Sequence, residues 1–138
     1  MKKLVVMVGT DDGESILFGH PGDAESFHIY ELREDGSFEL LRKVKNEAKD
    51  IDEGPAHGGQ EKMKKVLQLI GKVDVILTRR NSPNLMRMAS ETEIQPVMVN
   101  VERIEEGLKI LHEHFDEIYD MVDRRKRGER FKVHKIGV

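Results

Sequence analysis

The chain contains no cysteine. Disulfides, thiolate nucleophiles, cysteinyl zinc sites and cysteinyl iron–sulfur ligation are therefore excluded, and any soft metal must be held by other donors. Long apolar runs are missing too. The stretch Leu4 to Val8 is broken at once by Gly9-Thr10-Asp11-Asp12, too short for a secretory core or a membrane span, which predicts a cytoplasmic protein with no membrane association. There is no large excess of one charge: 23 Lys plus Arg stand against 26 Asp plus Glu, a net charge of −3. A molecule so balanced is not built as a whole for nucleic acid or an anionic surface. No Walker loop, GxGxxG, nucleophile elbow or HExxH occurs, and no internal repeat or low-complexity stretch is seen.

What is present suits one compact domain: 138 residues, 36% charged and 38% hydrophobic. The charge is uneven along the chain. From Arg124 onward seven basic residues and the single acid Glu129 give +6, leaving −9 on the first 123 residues. We therefore read residues 1–123 as a single α/β domain and 124–138 as a basic C-terminal extension. Solubilising charge is the ordinary explanation of such a run, contact with RNA or an acidic partner the other.

Leu4 to Val8 reads as a central strand buried on both faces. A loop rich in Gly and Pro follows, then a strand at Phe27 to Leu32, a turn signal at Asp35-Gly36 and a third strand at Phe38 to Val44. His57-Gly58-Gly59 opens a helix whose Met63, Val66, Leu67 and Ile70 are stopped by Gly71. A strand at Val73 to Leu77, a helix starting at Ser82-Pro83, a short strand at Pro96 to Val99 and a long helix from Val101 complete the order. The last helix carries Ile104, Leu108, Leu111, Phe115, Ile118 and Val122 as one continuous apolar stripe. Its distal half could bury against its own sheet or form a dimer seam, so the chain is a monomer or a homodimer. A short extended piece at Phe131 to Ile136 suits the tail.

This order predicts a five-stranded mixed sheet, a three-strand meander followed by two parallel strands, with helices packed on it. The first, third and fourth strands then point the same way, and their following loops open on one edge. Open α/β sheets bind ligands there, where the strand order reverses. Asp11, Asp12, His20, His57, Gly58, Gly59, Arg79, Arg80, Ser82 and Asn84 all fall on that edge. Two helix starts would aim backbone N–H groups at it, and two arginines add fixed positive charge, so an anion fits. Imidazole ligates borderline metals, which makes His57 the first candidate metal ligand and His20 the second. Taken singly these features have plain explanations: Ser82 as a helix cap, solvated arginines, and Asp11-Asp12-Gly13 as a turn. His112 and His114 are two apart on a helix and cannot form a metal-binding pair. The fourth strand ends in Thr78-Arg79-Arg80 without a carboxylate, which argues against a two-metal nuclease.

Thr10-Asp11-Asp12-Gly13, Phe18-Gly19, Phe27-His28-Ile29-Tyr30, the His57-Gly58 helix start, Val73 to Thr78 with Ser82-Pro83-Asn84, and the helix Val101 to Leu111 together resemble the dinitrogenase iron–molybdenum cofactor biosynthesis family, of the NifX and NafY type. The likeness covers about residues 2 to 112. It implies a ribonuclease H-like fold and a carrier, not an enzyme, for an iron–sulfur or iron–molybdenum cluster or cofactor precursor, working with a cluster-donor or acceptor protein. The chain departs from the family pattern in two places: Leu17 stands where members often place a His before Phe-Gly, with His20 following that pair, and the helix continues past the family's usual end. The alternative reading is a binding module for a phosphate-bearing small molecule or RNA. A divalent-metal phosphoesterase using Asp11 and Asp12 is the third.

Overall fold

The computed structural model describes residues 1–51 and 60–138. Six strands form one sheet: β1 (Lys3–Thr10), β2 (Ser26–Arg33), β3 (Phe38–Lys45), β4 (Val75–Thr78), β5 (Gln95–Met98) and β6 (His134–Lys135), in the order β3-β2-β1-β4-β5-β6. The first three strands pair antiparallel, β1 with β2 and β2 with β3. β4 pairs parallel to β1, β5 to β4 and β6 to β5. The expected five strands are thus six. The sixth, His134–Lys135, falls within the extended piece expected at Phe131 to Ile136, and it joins the sheet because β5 offers it a free edge.

Among the described residues four helices cover the sheet: α1 (Gln60–Ile70), α2 (Pro83–Glu91), α3 (Ile104–Glu113) and α4 (Phe115–Lys126). The side-chain alternation of the strands decides which helix meets which face. Met7, Phe27, Ile29 and Ile76 pack with Met63, Val66, Ile70, Leu85 and Met88 of α1 and α2. Leu4, Val6, Val8, Val75 and Leu77 pack on the other face with Ile104, Leu108, Leu111, Phe115, Ile118 and Val122 of α3 and α4. β1 supplies both cores because it is buried on both sides.

The long final helix is two helices. His114 leaves helical geometry (φ −115°, ψ 24°), and its N–H is shared between the carbonyls of Ile110 and Leu111, each at 3.2 Å. Nearby, His112 Nε2 lies 3.0 Å from the Glu34 carbonyl oxygen at the β2–β3 turn. The apolar stripe is blind to this break because Leu111, Phe115 and Ile118 face the same core on both sides of it. Phe115, Ile118 and Val122 are buried within the chain, so the stripe's distal half packs on its own sheet.

The boundary drawn after residue 123 falls inside α4, and the tail beyond it joins the sheet. Arg125 is fully buried. Its guanidinium donates to Gln95 Oε1 at 2.6 Å, the Thr92 carbonyl at 2.8 Å and the Phe131 carbonyl at 2.6 Å. The His134 ring, 3.2 Å from the Glu117 carboxylate, ties β6 to α4.

Candidate functional site

Going outward from β1 the chain adds β2 and β3 on one side, and returns past β1 to add β4, β5 and β6 on the other. The strand order therefore reverses between β1 and β4. A pocket lies at this point, on the α1–α2 side. Met7 and Ile76, adjacent across the two strands, form its floor. The β1–β2 connection contributes His20, Pro21 and Gly22, α1 contributes Lys62, Met63 and Val66, and the start of α2 contributes Ser82, Asn84 and Leu85.

Local sequence explains how these groups arrive. Pro21–Asp23 form a single 3-10 turn that begins immediately after His20 and folds back over β1. Its approach is close: a Cβ at Gly9 would stand 3.1 Å from Ala24 Cβ and 3.2 Å from the Pro21 carbonyl oxygen, so the absent side chain lets the turn settle there. Buried Asn46 locks it from beyond β3, with Nδ2 donating to the Gly22 and Ala24 carbonyls, both at 2.8 Å. At the second helix, Ser82 Oγ accepts the Leu85 N–H at 3.1 Å and Pro83 takes the first helical position; such a cap contributes about 1 kcal/mol.

The pocket carries one buried cation that sequence reading missed. Lys62 is 3% exposed, and its ammonium lies 2.6 Å from Asp23 Oδ1 and 3.0 Å from the Lys49 carbonyl oxygen. A signal existed, since Lys62 stands four residues before Val66 and eight before Ile70, on the stripe that faces the sheet. A lysine can follow such a stripe when its stem covers apolar surface and its head finds acceptors.

Three of the residues expected at the site, His20, Ser82 and Asn84, line this one pocket. The others described lie on the same edge but outside its lining. Asp11 Oδ1 accepts the Glu25 N–H at 2.9 Å. Asp12 Oδ1 accepts from the N–H groups of Glu14 at 2.9 Å and Ser15 at 2.7 Å. Those bonds, the Glu14 one first, hold its carboxyl down at about 2. Arg79 stacks its guanidinium over exposed Phe18, 4.7 Å from the ring centroid. Its Nε is buried without a hydrogen-bond partner among the described residues. Arg80 is exposed and its backbone is held by the Thr78 hydroxyl. His57, Gly58 and Gly59 lie outside the described residues.

The cavity has a volume of about 30 Å³, which admits a water molecule but not a cofactor. A larger ligand would lie across its mouth. Among the described residues no three His, Asp or Glu side chains converge to hold a metal ion. No helix among them is long and apolar enough to cross a membrane. Comparison with curated proteins and with solved structures returned no match. Residues 1–114 match the family model described as dinitrogenase iron-molybdenum cofactor, a span from β1 through α3 to His114. The chain belongs to the dinitrogenase iron-molybdenum cofactor family.

Proposed function

We propose that the protein is a cytoplasmic carrier that binds an anionic metal–sulfur cluster or iron–molybdenum cofactor precursor, on a ribonuclease H-like frame, and passes it on without chemical turnover. The observation that carries this reading is the meeting of His20, Ser82 and Asn84 at the strand-order reversal, in a chain whose family is described by that cofactor. Lacking cysteine, the protein would hold such a cargo through imidazole nitrogen, with His57 as first ligand and His20 as second. A carrier must also release its cargo, and a few nitrogen contacts at a pocket mouth hold a cluster less firmly than a cage of thiolates.

The charge of the cargo would be met around this point. Arg79, Arg80 and the α2 start follow β4 directly, and hydrogen-bond donors at such a position favour an anion. In this reading Asp11 and Asp12 shape the loop that bounds the site, and Gly58-Gly59 allows the backbone to come close to the cargo. The natural exchange partner is a cluster-donor or acceptor protein.

Anaerobic reconstitution with iron and sulfide, followed by absorption spectroscopy, tests the proposal. A bound chromophore is expected, lost in His57→Ala and weakened in His20→Ala. A colourless protein, or a chromophore indifferent to both changes, would overturn it. Binding of a phosphate-bearing ligand that falls steeply with salt and ignores His57→Ala would point instead to a phosphate-binding module.

A further inference from the structure

The seven basic residues of the tail divide by what they touch. Arg124 pairs with Asp120 and Glu129, Lys126 with Asp74 and Arg127 with Asp123. Arg125 is buried against neutral acceptors, and Arg130 donates to the carbonyls of Arg125 and Glu129. Of these seven, Lys132 and Lys135 alone have no carboxylate within ion-pair distance and no hydrogen-bond acceptor for the side chain among the described residues. Both line the same groove.

That groove, about 360 Å³, is bounded by Asn81, Met86, Ala89, Lys132, Val133 and Lys135. It exists because α2 is the last helix on its face of the sheet: the chain then crosses to the other face as α3 and α4 and returns as the outermost strand β6. Val133 reaches inward to touch the α1–α2 core, while the strip between it and α2 stays open. Ala89 gives a buried floor and Met86, 52% exposed, one apolar wall. Half of the lining comes from residues beyond the family match, which ends at residue 114.

We propose that this groove docks an acidic segment of a partner protein, an apolar side chain entering between Met86 and Val133 and flanking carboxylates meeting Lys132 and Lys135. Two unpaired cations beside an apolar floor are complementary to such a peptide. Single-stranded RNA fits less well, since no aromatic ring lines the groove for bases to stack on. Phe131, the nearest ring in sequence, lies under the Arg124 guanidinium at 5.0 Å. The proposal is independent of the cluster-carrier reading and goes beyond it.

The test selects 12-residue peptides from a random displayed library on the full chain and measures the synthetic winners by fluorescence anisotropy. Enrichment of Asp and Glu around an apolar residue is expected. The tightest peptide should weaken at least tenfold on Lys132→Glu/Lys135→Glu and severalfold on Met86→Asp, and it should weaken with added salt. Both lysines are exposed, so an unchanged thermal melt will show the double variant folded. His20→Ala should leave peptide affinity unchanged, which separates this result from any failure of cluster binding. A winning set without acidic bias, or winners indifferent to the double variant, would overturn the proposal. So would a random single-stranded RNA pool that outcompetes the peptides through the same lysines. A dimer converted to monomer by the double variant would identify a second copy as the occupant and equally reject the reading.

Discussion

The Lys62 ammonium lies 2.6 Å from the Asp23 carboxylate, joining the first turn of α1 to the 3-10 turn that follows His20. The two partners differ in surroundings, with side-chain exposures of 4% for Lys62 and 45% for Asp23. Substituting Asp23 therefore removes a water-accessible charge and weakens the hold on a buried one.

We predict that Asp23→Ala lowers stability by about 1–3 kcal/mol in urea unfolding, at the level of a charge-assisted hydrogen bond and below the loss at a fully buried pair. Because the same contact holds the turn beside the pocket, hydrogen exchange at Gly22 and Ala24 should quicken locally. Unchanged exchange there would show that Asn46 and the packing over Gly9 fix the turn without this ion pair.

Arg125 predicts a larger effect. Burial pushes its guanidinium down to about 10, with Arg130 adding repulsion, so it remains charged at neutral pH. Three acceptors from the end of α2, the start of β5 and the tail depend on it. Arg125→Ala should cost about 3–5 kcal/mol, since it leaves a cavity and unsatisfied polar groups. It should also open the chain to limited proteolysis beyond Arg127. A variant as stable as the parent, with a protected tail, would show that β6 is held without Arg125, by its pairing to β5 and the contacts of Val133 and His134.

His28 predicts a dependence on pH. It is 5% exposed, its Nδ1 has no hydrogen-bond partner among the described residues, and burial first, then Lys43, lowers its pKa below the ordinary 6.5. The folded protein thus holds it neutral while the unfolded chain takes up a proton near 6.5. Its contribution is complete above that value and is lost as pH falls through the depressed folded pKa. His28→Leu should flatten the stability profile on the acid side of 6.5 and leave the slope above it unchanged, as read from denaturant midpoints at successive pH. An identical acid limb in both proteins would assign that limb to other groups.

Elements whose signals lie within a few residues were readable from the chain alone. Leu4 to Val8 read as a strand buried on both faces, and Ser82-Pro83 marked a helix start by capping chemistry. Asp35-Gly36 marked a turn, where Gly36 adopts φ +93°. Strand directions followed from connection lengths, and with them the edge on which the polar and charged loops gather. Family membership was legible in the order of those local pieces.

Tertiary structure decided the rest, because those features arise from contacts between distant segments. β6 exists by pairing with β5, and the break at His114 lies beneath an uninterrupted apolar stripe. Arg125 sits in a cluster of basic residues that otherwise reads as solvated surface, and only its three distant acceptors make burial tolerable. On the edge beyond β1 and β4, sequence supplied the common side but not the depth. His20, Ser82 and Asn84 line the pocket because the turn after β1 folds back over Gly9 and α2 begins beside it. Asp11, Asp12, Arg79 and Arg80 follow the same strand ends, yet backbone N–H groups, the Phe18 ring and the Thr78 hydroxyl engage them outside that lining. Strand direction is a local consequence of the connections, whereas the reach of each side chain depends on what has packed against it.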